Sequence, residues 1–201
     1  MFQVRFHGRG GQGVVTAAEL LAVAAFDDGR FSQAFPTFGS ERTGAPVVSF
    51  CRIDDKEIRT RSPITEPDAL IIQDPTLLRQ PGLFSGLSTD GYVVINTSKP
   101  IIEVGLGTLA LSLPSGHLLA IGATELALKH LGRPLPNAVL LGGFAAVTGI
   151  VSLPAVIRAI EERFSGASAS SNVAATREAY RIGAEEFQAA AREMVGSHDA
   201  S

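Results

Sequence analysis

The residues of this chain best suited to chemistry stand at its start. Gly8-Arg9-Gly10-Gly11-Gln12-Gly13 separates a strand-like run, Phe2 to Phe6, from a helix-like run that opens at Val14. Glycines let a backbone turn sharply and approach a ligand closely. The first N–H groups of the helix behind them then point at an anion. Such a cradle takes a phosphate on the backbone N–H groups of Gly11, Gly13 and Val14, with the Arg9 and Gln12 side chains as further donors. Two other readings stand beside it. Gly8, Gly10 and Gly13 also spell G-x-G-x-x-G, the pattern of a stand-alone NAD(P)-binding oxidoreductase. That site wants an acid at the end of the second strand, whereas Asp27 and Asp28 fall in the turn before it. In the remaining reading the glycines only let the helix pack tightly on the sheet. A Walker A loop is excluded, because no Gly-Lys-Ser/Thr follows.

A second polar pair, Glu41-Arg42, sits in a glycine-bounded loop, Pro36 to Gly44. Arg42 is the stronger ligand candidate, since one guanidinium binds a carboxylate or phosphate through two parallel hydrogen bonds. The alternative is an exposed loop pair. Cys51 lies mid-strand and reads as a small apolar filler. His7 ends the first strand beside the loop, as a ligand contact or a hydrogen-bonded structural histidine. His117, His130 and His198 lack metal-ligand spacing.

These residues need elements to hold them. Phe2, Val4 and Phe6 alternate with Gln3, Arg5 and His7, which predicts a strand with one apolar face. A helix follows over 14–26, ended by Asp27-Asp28-Gly29. Further strands are expected at 31–35, 45–53, 69–73, 92–96, 109–113 and 117–121. Glu57 to Thr60 is expected to pair back on the third strand as a hairpin. Helices are expected over 123–131, from Pro136-Asn137 to Gly149, over 153–164, and over 172–194 behind a small-residue spacer, 165–171. Gly142-Gly143 inside an apolar helix marks either a close contact or a helix break. The fold class is α/β: a single domain over 1–195, with a mixed sheet, a strand–Gly-loop–helix start and helices packed on the sheet, then a frayed tail, 196–201.

Composition narrows the function. Charged residues make up 18% of the 201, against about 25% in an average soluble chain, so extra surface is expected to be buried against other subunits. A net charge of −3 argues against a nucleic-acid binder. No apolar run reaches the ~18 residues of a membrane span, and Gln3, Arg5 and His7 interrupt any signal-peptide pattern. The single cysteine excludes internal disulfides and a cysteine-ligated cluster carried by this chain alone. A cytoplasmic protein is expected.

Five stretches, in order, carry a family resemblance: GRGGQGVVTAAELLAVAA, FPTFGSERTGAPVVSFCRID, EPDALIIQDPTLL, ATELALKHLGRPLPNAVLLGGFAAVTGIVSL and NVAATREAYRIGAEEF. Together they resemble the gamma subunit of pyruvate and other 2-oxoacid:ferredoxin oxidoreductases over about residues 2–187. Gly122 departs from the pattern, which has Asp before Ala-Thr-Glu. The resemblance implies a fold like the corresponding domain of pyruvate:ferredoxin oxidoreductase. It implies a complex of EC 1.2.7 type that oxidatively decarboxylates a 2-oxoacid to an acyl-CoA and passes electrons to ferredoxin or a similar acceptor. Its partners are alpha, thiamine-binding beta and ferredoxin-like delta subunits. The complex uses thiamine diphosphate, magnesium, [4Fe-4S] clusters and coenzyme A as co-substrate, and this chain by itself holds none of these cofactors. The chain lacks a Gly-Asp-Gly…Asn-Asn thiamine motif and a cysteine set, so it is expected to scaffold the complex and help bind coenzyme A, without turnover alone. The implied coenzyme A residues are Gly8, Arg9, Gly10, Gly11, Gln12, Gly13, Val14 and Arg42. A sibling complex acting on an aryl 2-oxoacid, indolepyruvate or phenylglyoxylate, stays open.

Overall fold

The structure, a computed structural model, describes residues 1–37 and 43–198. Its centre is a six-stranded sheet: β1 (Phe2–Arg9), β2 (Phe31–Pro36), β3 (Pro46–Asp54), β4 (Ala69–Ile72), β5 (Tyr92–Asn96) and β6 (Leu118–Ile121), in the order β2-β3-β1-β4-β5-β6. β1, β4, β5 and β6 run parallel, and β3 is antiparallel to both β1 and β2. The sheet is thus mixed, as expected. The helices are α1 (Val14–Asp27), α2 (Gly107–Ser112), α3 (Ala123–Leu131), α4 (Asn137–Thr148), α5 (Leu153–Arg163) and α6 (Gly166–His198).

Three expectations fail for physical reasons. Glu57 to Thr60 forms no strand, because both hydrogen-bonding edges of β3 are already occupied, by β1 and β2. The run 109–113 lies in and just after α2 rather than in a strand. Five apolar residues do not distinguish the two states, and β5 already pairs with β4 and β6. The small-residue segment 165–171 is no spacer, since α6 begins at Gly166. There Ser170 Oγ and Asn172 Nδ2 donate to the carbonyls four residues back, at 3.4 and 2.9 Å, so the polar side chains are satisfied inside the helix.

The two faces of the sheet are covered differently. Val4, Phe6, Ala69, Ile71, Val94, Leu119 and Ile121 form one core with α1, α4, α5 and α6. Leu70, Ile72, Val93 and Ile95 meet the segment that runs from the end of β4 through α2, notably Leu83 and Leu106. On β1 and β3 this second face presents arginines. Arg5 is 8% and Arg52 3% exposed. Arg5 donates to the carbonyls of Leu83 and Ser85 at 2.8 and 3.0 Å. Arg52 donates to those of Ser62 and Thr60 at 2.7 and 3.4 Å, and to Gln3 Oε1 at 3.1 Å. A guanidinium has donors enough to gather several carbonyls at once, so two buried charges bind loops to the sheet where helices are missing.

Gly142 and Gly143 do not break α4; they bring it close to its neighbours. A Cβ on Gly142 would run into the Thr176 carbonyl of α6, and one on Gly143 would stand 3.0 Å from Leu119 and Ile121 side-chain atoms. Gly183 of α6 faces the Gly143 Cα. Asp27 and Asp28 turn away from the Gly-rich loop. Asp27 pairs with Arg158 at 3.1 Å, and Asp28 accepts from Ser152 N and Oγ at 2.6 and 2.8 Å, at the start of α5.

Two predictions follow from the packing and from the buried arginine. Gly142→Ala is expected to destabilise by about 2 kcal/mol or more, although alanine gains roughly 1 kcal/mol in an unhindered helix. Gly107→Ala in α2, with open space at the Cβ position, should be neutral or better; denaturant midpoints of the two variants check the contrast. His7 accepts from Arg5 Nε at 2.9 Å, and burial, then the Arg5 charge, push its pKa from 6.5 to about 4. The unfolded chain therefore takes up a proton between pH 6.5 and 4 that the native chain refuses, and stability falls as pH drops through that window, by roughly 3 kcal/mol in full. His7→Gln should flatten this part of the stability curve, measured by urea unfolding at pH 7 and 4.5.

Candidate functional site

β1 and β4 are adjacent and parallel, yet the chain leaves them in opposite directions, through α1 towards β2 and through Pro75 towards β5. Ligands of open α/β sheets bind outside the carboxyl ends of the strands at such a divergence. The Gly8–Gly13 loop occupies this place.

Its glycines have distinct duties. A Cβ on Gly8 would lie 2.6 Å from Val14 Cγ2 and 3.2 Å from Gln73 Cβ, so Gly8 is there for the close approach of α1 to the sheet. Gly11 and Gly13 have φ of 95° and 72°, in the region that glycine alone enters at low cost. A Cβ on Gly13 would overlap the Asn137 side chain at the start of α4, whereas Gly11 faces open space.

The hydrogen bonds of the loop divide its N–H groups in two. Arg9 N donates to Gln12 Oε1 (2.7 Å), Gly10 N to the Ala45 carbonyl (2.9 Å) and Gln12 N to the Arg9 carbonyl (3.1 Å). The N–H groups of Gly11, Gly13, Val14, Val15 and Thr16 meet no acceptor among the described residues. Ala17 N is the first to bond within the helix turn, to the Gly13 carbonyl. Among the described residues no side chain caps α1. An open hollow of about 320 Å³ lies before these groups, lined by Arg9, Gly10, Gly11, Val14, Thr16 and Val47 among others. A helix start with uncapped donors over a hollow is fit to receive an anion.

Both side chains expected to add donors are turned to protein partners. Gln12 Nε2 donates to Asp74 Oδ2 at 2.8 Å, so both ends of its amide are engaged. Arg9 donates to Thr76 Oγ1 from Nε (3.1 Å) and Nη2 (2.8 Å) and to the Gly44 carbonyl from Nη1 (3.0 Å), with Nε 3.4 Å from Asp74 Oδ2. Asp74 is the hub. Its other oxygen accepts from Thr76 N and Oγ1 at 2.9 and 2.5 Å. Burial alone would raise its pKa, but the hydrogen bonds from Thr76 and Gln12 and the Arg9 charge outweigh it and hold the carboxyl below its usual range. Asp74 was visible in the sequence only as an Asp-Pro step ending a buried strand.

The floor of the site is polar as well. Asn96 gives its Nδ2 to the Gln73 carbonyl and to Thr124 Oγ1, both at 2.8 Å, and accepts from Thr124 N at 3.0 Å, capping α3 from another strand. Gln73, beside Gly8, is fully buried, and neither polar atom of its amide finds a partner among the described residues. Buried amides without partners are rare, and nothing in the sequence signalled this one. The structure brings Gly8, Arg9, Gly10, Gly11, Gln12, Gly13 and Val14 together. Arg42 and Glu41 lie outside the described residues, though Thr43 pairs with Gly10 and Gly44 N donates to the Gly10 carbonyl at 3.1 Å.

A nicotinamide site does not fit. The second strand of a dinucleotide fold lies beside the first, but here β3 separates β2 from β1, and Asp27 and Asp28 serve α5. Among the described residues no group of three His, Cys, Asp or Glu side chains is placed to share a metal ion. Among the described residues no helix is long and apolar enough to cross a membrane.

Comparison with known proteins identifies the family of this fold. Residues 3–182 match the family described as pyruvate ferredoxin/flavodoxin oxidoreductase. The chain is 51% identical over 180 residues to pyruvate synthase subunit PorC of Methanocaldococcus jannaschii, covering 90% of this chain and 96% of that one. It is 48% identical over 180 residues, with the same coverage of 90% and 96%, to the common subunit gamma of the pyruvate/ketoisovalerate oxidoreductases of Thermococcus kodakarensis. The crystal structure of pyruvate oxidoreductase subunit PORC (EC 1.2.7.1) of Thermotoga maritima superposes with a TM-score of 0.76 at 37% identity, covering 90% of this chain and 96% of that one. The chain therefore belongs to the pyruvate ferredoxin/flavodoxin oxidoreductase family, as the gamma-type subunit of a 2-oxoacid oxidoreductase complex.

Proposed function

We propose that this subunit receives coenzyme A for its complex, holding the phosphates on the free N–H groups of Gly11, Gly13, Val14, Val15 and Thr16. The observation that carries the reading is this row of donors around one hollow, with no protein acceptor among the described residues. Phosphates suit it because each brings charge and several acceptor oxygens, and the dipole of α1 adds to the attraction. In the complex, thiamine diphosphate with magnesium supplies the carbanion chemistry and [4Fe-4S] clusters carry the electrons to ferredoxin. These belong to the alpha-, beta- and delta-type partners. This chain binds and orients the thiol carrier, and its Gly8 and Gly13 fix where that carrier lies relative to the sheet.

Pyruvate is the first substrate to test, with branched 2-oxoacids next, because relatives are named for pyruvate and for ketoisovalerate. Partner contact fits the surface too. Phe26, Ile102 and Leu111 are 71, 82 and 90% exposed, in a chain lean in charge. The cytoplasm is the compartment that goes with this reading, and there the lone thiol of Cys51 stays reduced.

In the assembled complex, Gly11→Asp sets a carboxylate before the free donors. It is expected to raise KM for coenzyme A about tenfold or more, the effect of one lost charge-assisted contact. KM for the 2-oxoacid should hold, and Gly11→Asn, without the charge, should do less. An unchanged coenzyme A KM would leave the chain a scaffold with an idle loop. The isolated chain is expected to oxidise no 2-oxoacid, with ferredoxin reduction appearing only when its partners are added.

A further inference from the structure

The N–H groups of Arg9 and Gln12 are spent inside the loop and that of Gly10 on the Ala45 carbonyl, while those of Gly11, Gly13 and the first three residues of α1 meet no acceptor among the described residues; something must keep that division. Gln12 closes the loop by accepting from Arg9 N, and this amide is oriented at its other end by Asp74. The same carboxylate stands 3.4 Å from Arg9 Nε and organises Thr76, whose hydroxyl accepts from that Nε and from Nη2. Arg9 in turn ties the Gly44 carbonyl to the loop. Three stretches that are distant in sequence (the end of β1 with its loop, residues 43–45 and the turn after β4) therefore converge around one buried carboxylate.

We propose that Asp74 is the positioning residue of this site: it holds Gln12 and Arg9 so that the Gly-rich loop presents its free N–H groups outward. It touches no ligand itself. If Gln12 is released, Arg9 N loses its acceptor, the 9–12 turn is left with only its Gln12 N to Arg9 carbonyl bond, and the N–H groups of Gly11 and Gly13 are held less firmly in their common direction. If Arg9 is released, the loop parts from residues 43–45. The cost of pre-organising a binding loop is borne by the fold, so a loosened loop binds its ligand more weakly without any contact being removed. This inference rests on the coenzyme A reading above.

Asp74→Asn tests it well, because asparagine keeps an acceptor for Thr76 N and is itself a good helix-start residue, while its Nδ2 replaces the oxygen that accepts from Gln12 and the charge beside Arg9 is gone. Gln12→Ala approaches the same link from the other side. In the assembled complex each variant is expected to raise KM for coenzyme A about five- to tenfold with kcat within about twofold, and the double variant to do no worse than the stronger single one, since one link is broken in all three. Amide hydrogen exchange over residues 9–16 should speed up in step with KM. A purely structural role would lower the melting temperature and leave KM in place. An unchanged coenzyme A KM in Asp74→Asn, where Gly11→Asp raises it, overturns the role of Asp74 and leaves the cradle standing. Unchanged KM in both variants overturns the cradle and Asp74's role with it.

Discussion

The close contact of Gly8 with the start of α1 is the constraint on which the rest of this structure depends. β1 has a neighbour on each side, β3 and β4, and its apolar face is sealed by α1 and α4. The chain must leave the sheet after Arg9 and begin a helix at Val14, directly above the strand. Val14 and Gln73 leave no room for a Cβ at Gly8. Because α1 starts so close to the sheet, its first donors stand at the carboxyl edge, above the ends of the parallel strands. The anion-receptive geometry is thus a consequence of packing, and the cradle and packing readings of the glycines are not rivals. Gly8 and Gly13 serve packing, and Gly11 serves the open face.

The second face of the sheet shows another economy. Helices cover one side, but Arg5, Arg52 and His7 support coil on the other. Guanidinium groups bound to carbonyls are an uncommon way to roof a sheet, since burying a charge costs several kcal/mol unless its donors are met. Here they are met by backbone, which binds loops of distant sequence to β1 and β3. The loops around Leu83 and Ser85, held by Arg5, precede the β5 edge of the site. Both sides of β1 therefore hold their coverings by contacts at single residues, glycine on one side and arginine on the other.

Much of the fold could be read directly. The strands at 31–36, 46–54, 69–72, 92–96 and 118–121 fall where apolar runs and turn residues put them. So do α1, α3, α4 and α5, with Gly132 and Gly149 closing α3 and α4 in left-handed conformations. Two of the failures have one cause. Glu57 to Thr60 and the run 109–113 carry local signals compatible with a strand, but a strand needs a free edge, and edges are allotted by the whole sheet. In α6 the serines of 166–171 look like loop because local preference says so; continuity with a helix packed on α4 overrides it.

By itself the sequence determined the α/β class, the glycine loop at a strand–helix junction and the family, because these rest on spacing between near neighbours. It did not determine which donors of the loop are free. Asp74 and Gln12 are far apart in the chain and meet at 2.8 Å only because β4 lies beside β1. The same holds for the dismissal of the dinucleotide site: β3 lies between β1 and β2, and strand order is a property of the closed sheet. Arg9 shows the difference most plainly. As a residue it is a donor for phosphate, but folded it spends its guanidinium on Thr76, Gly44 and Asp74, since hydrogen bonds go to whatever acceptors the tertiary structure brings within reach.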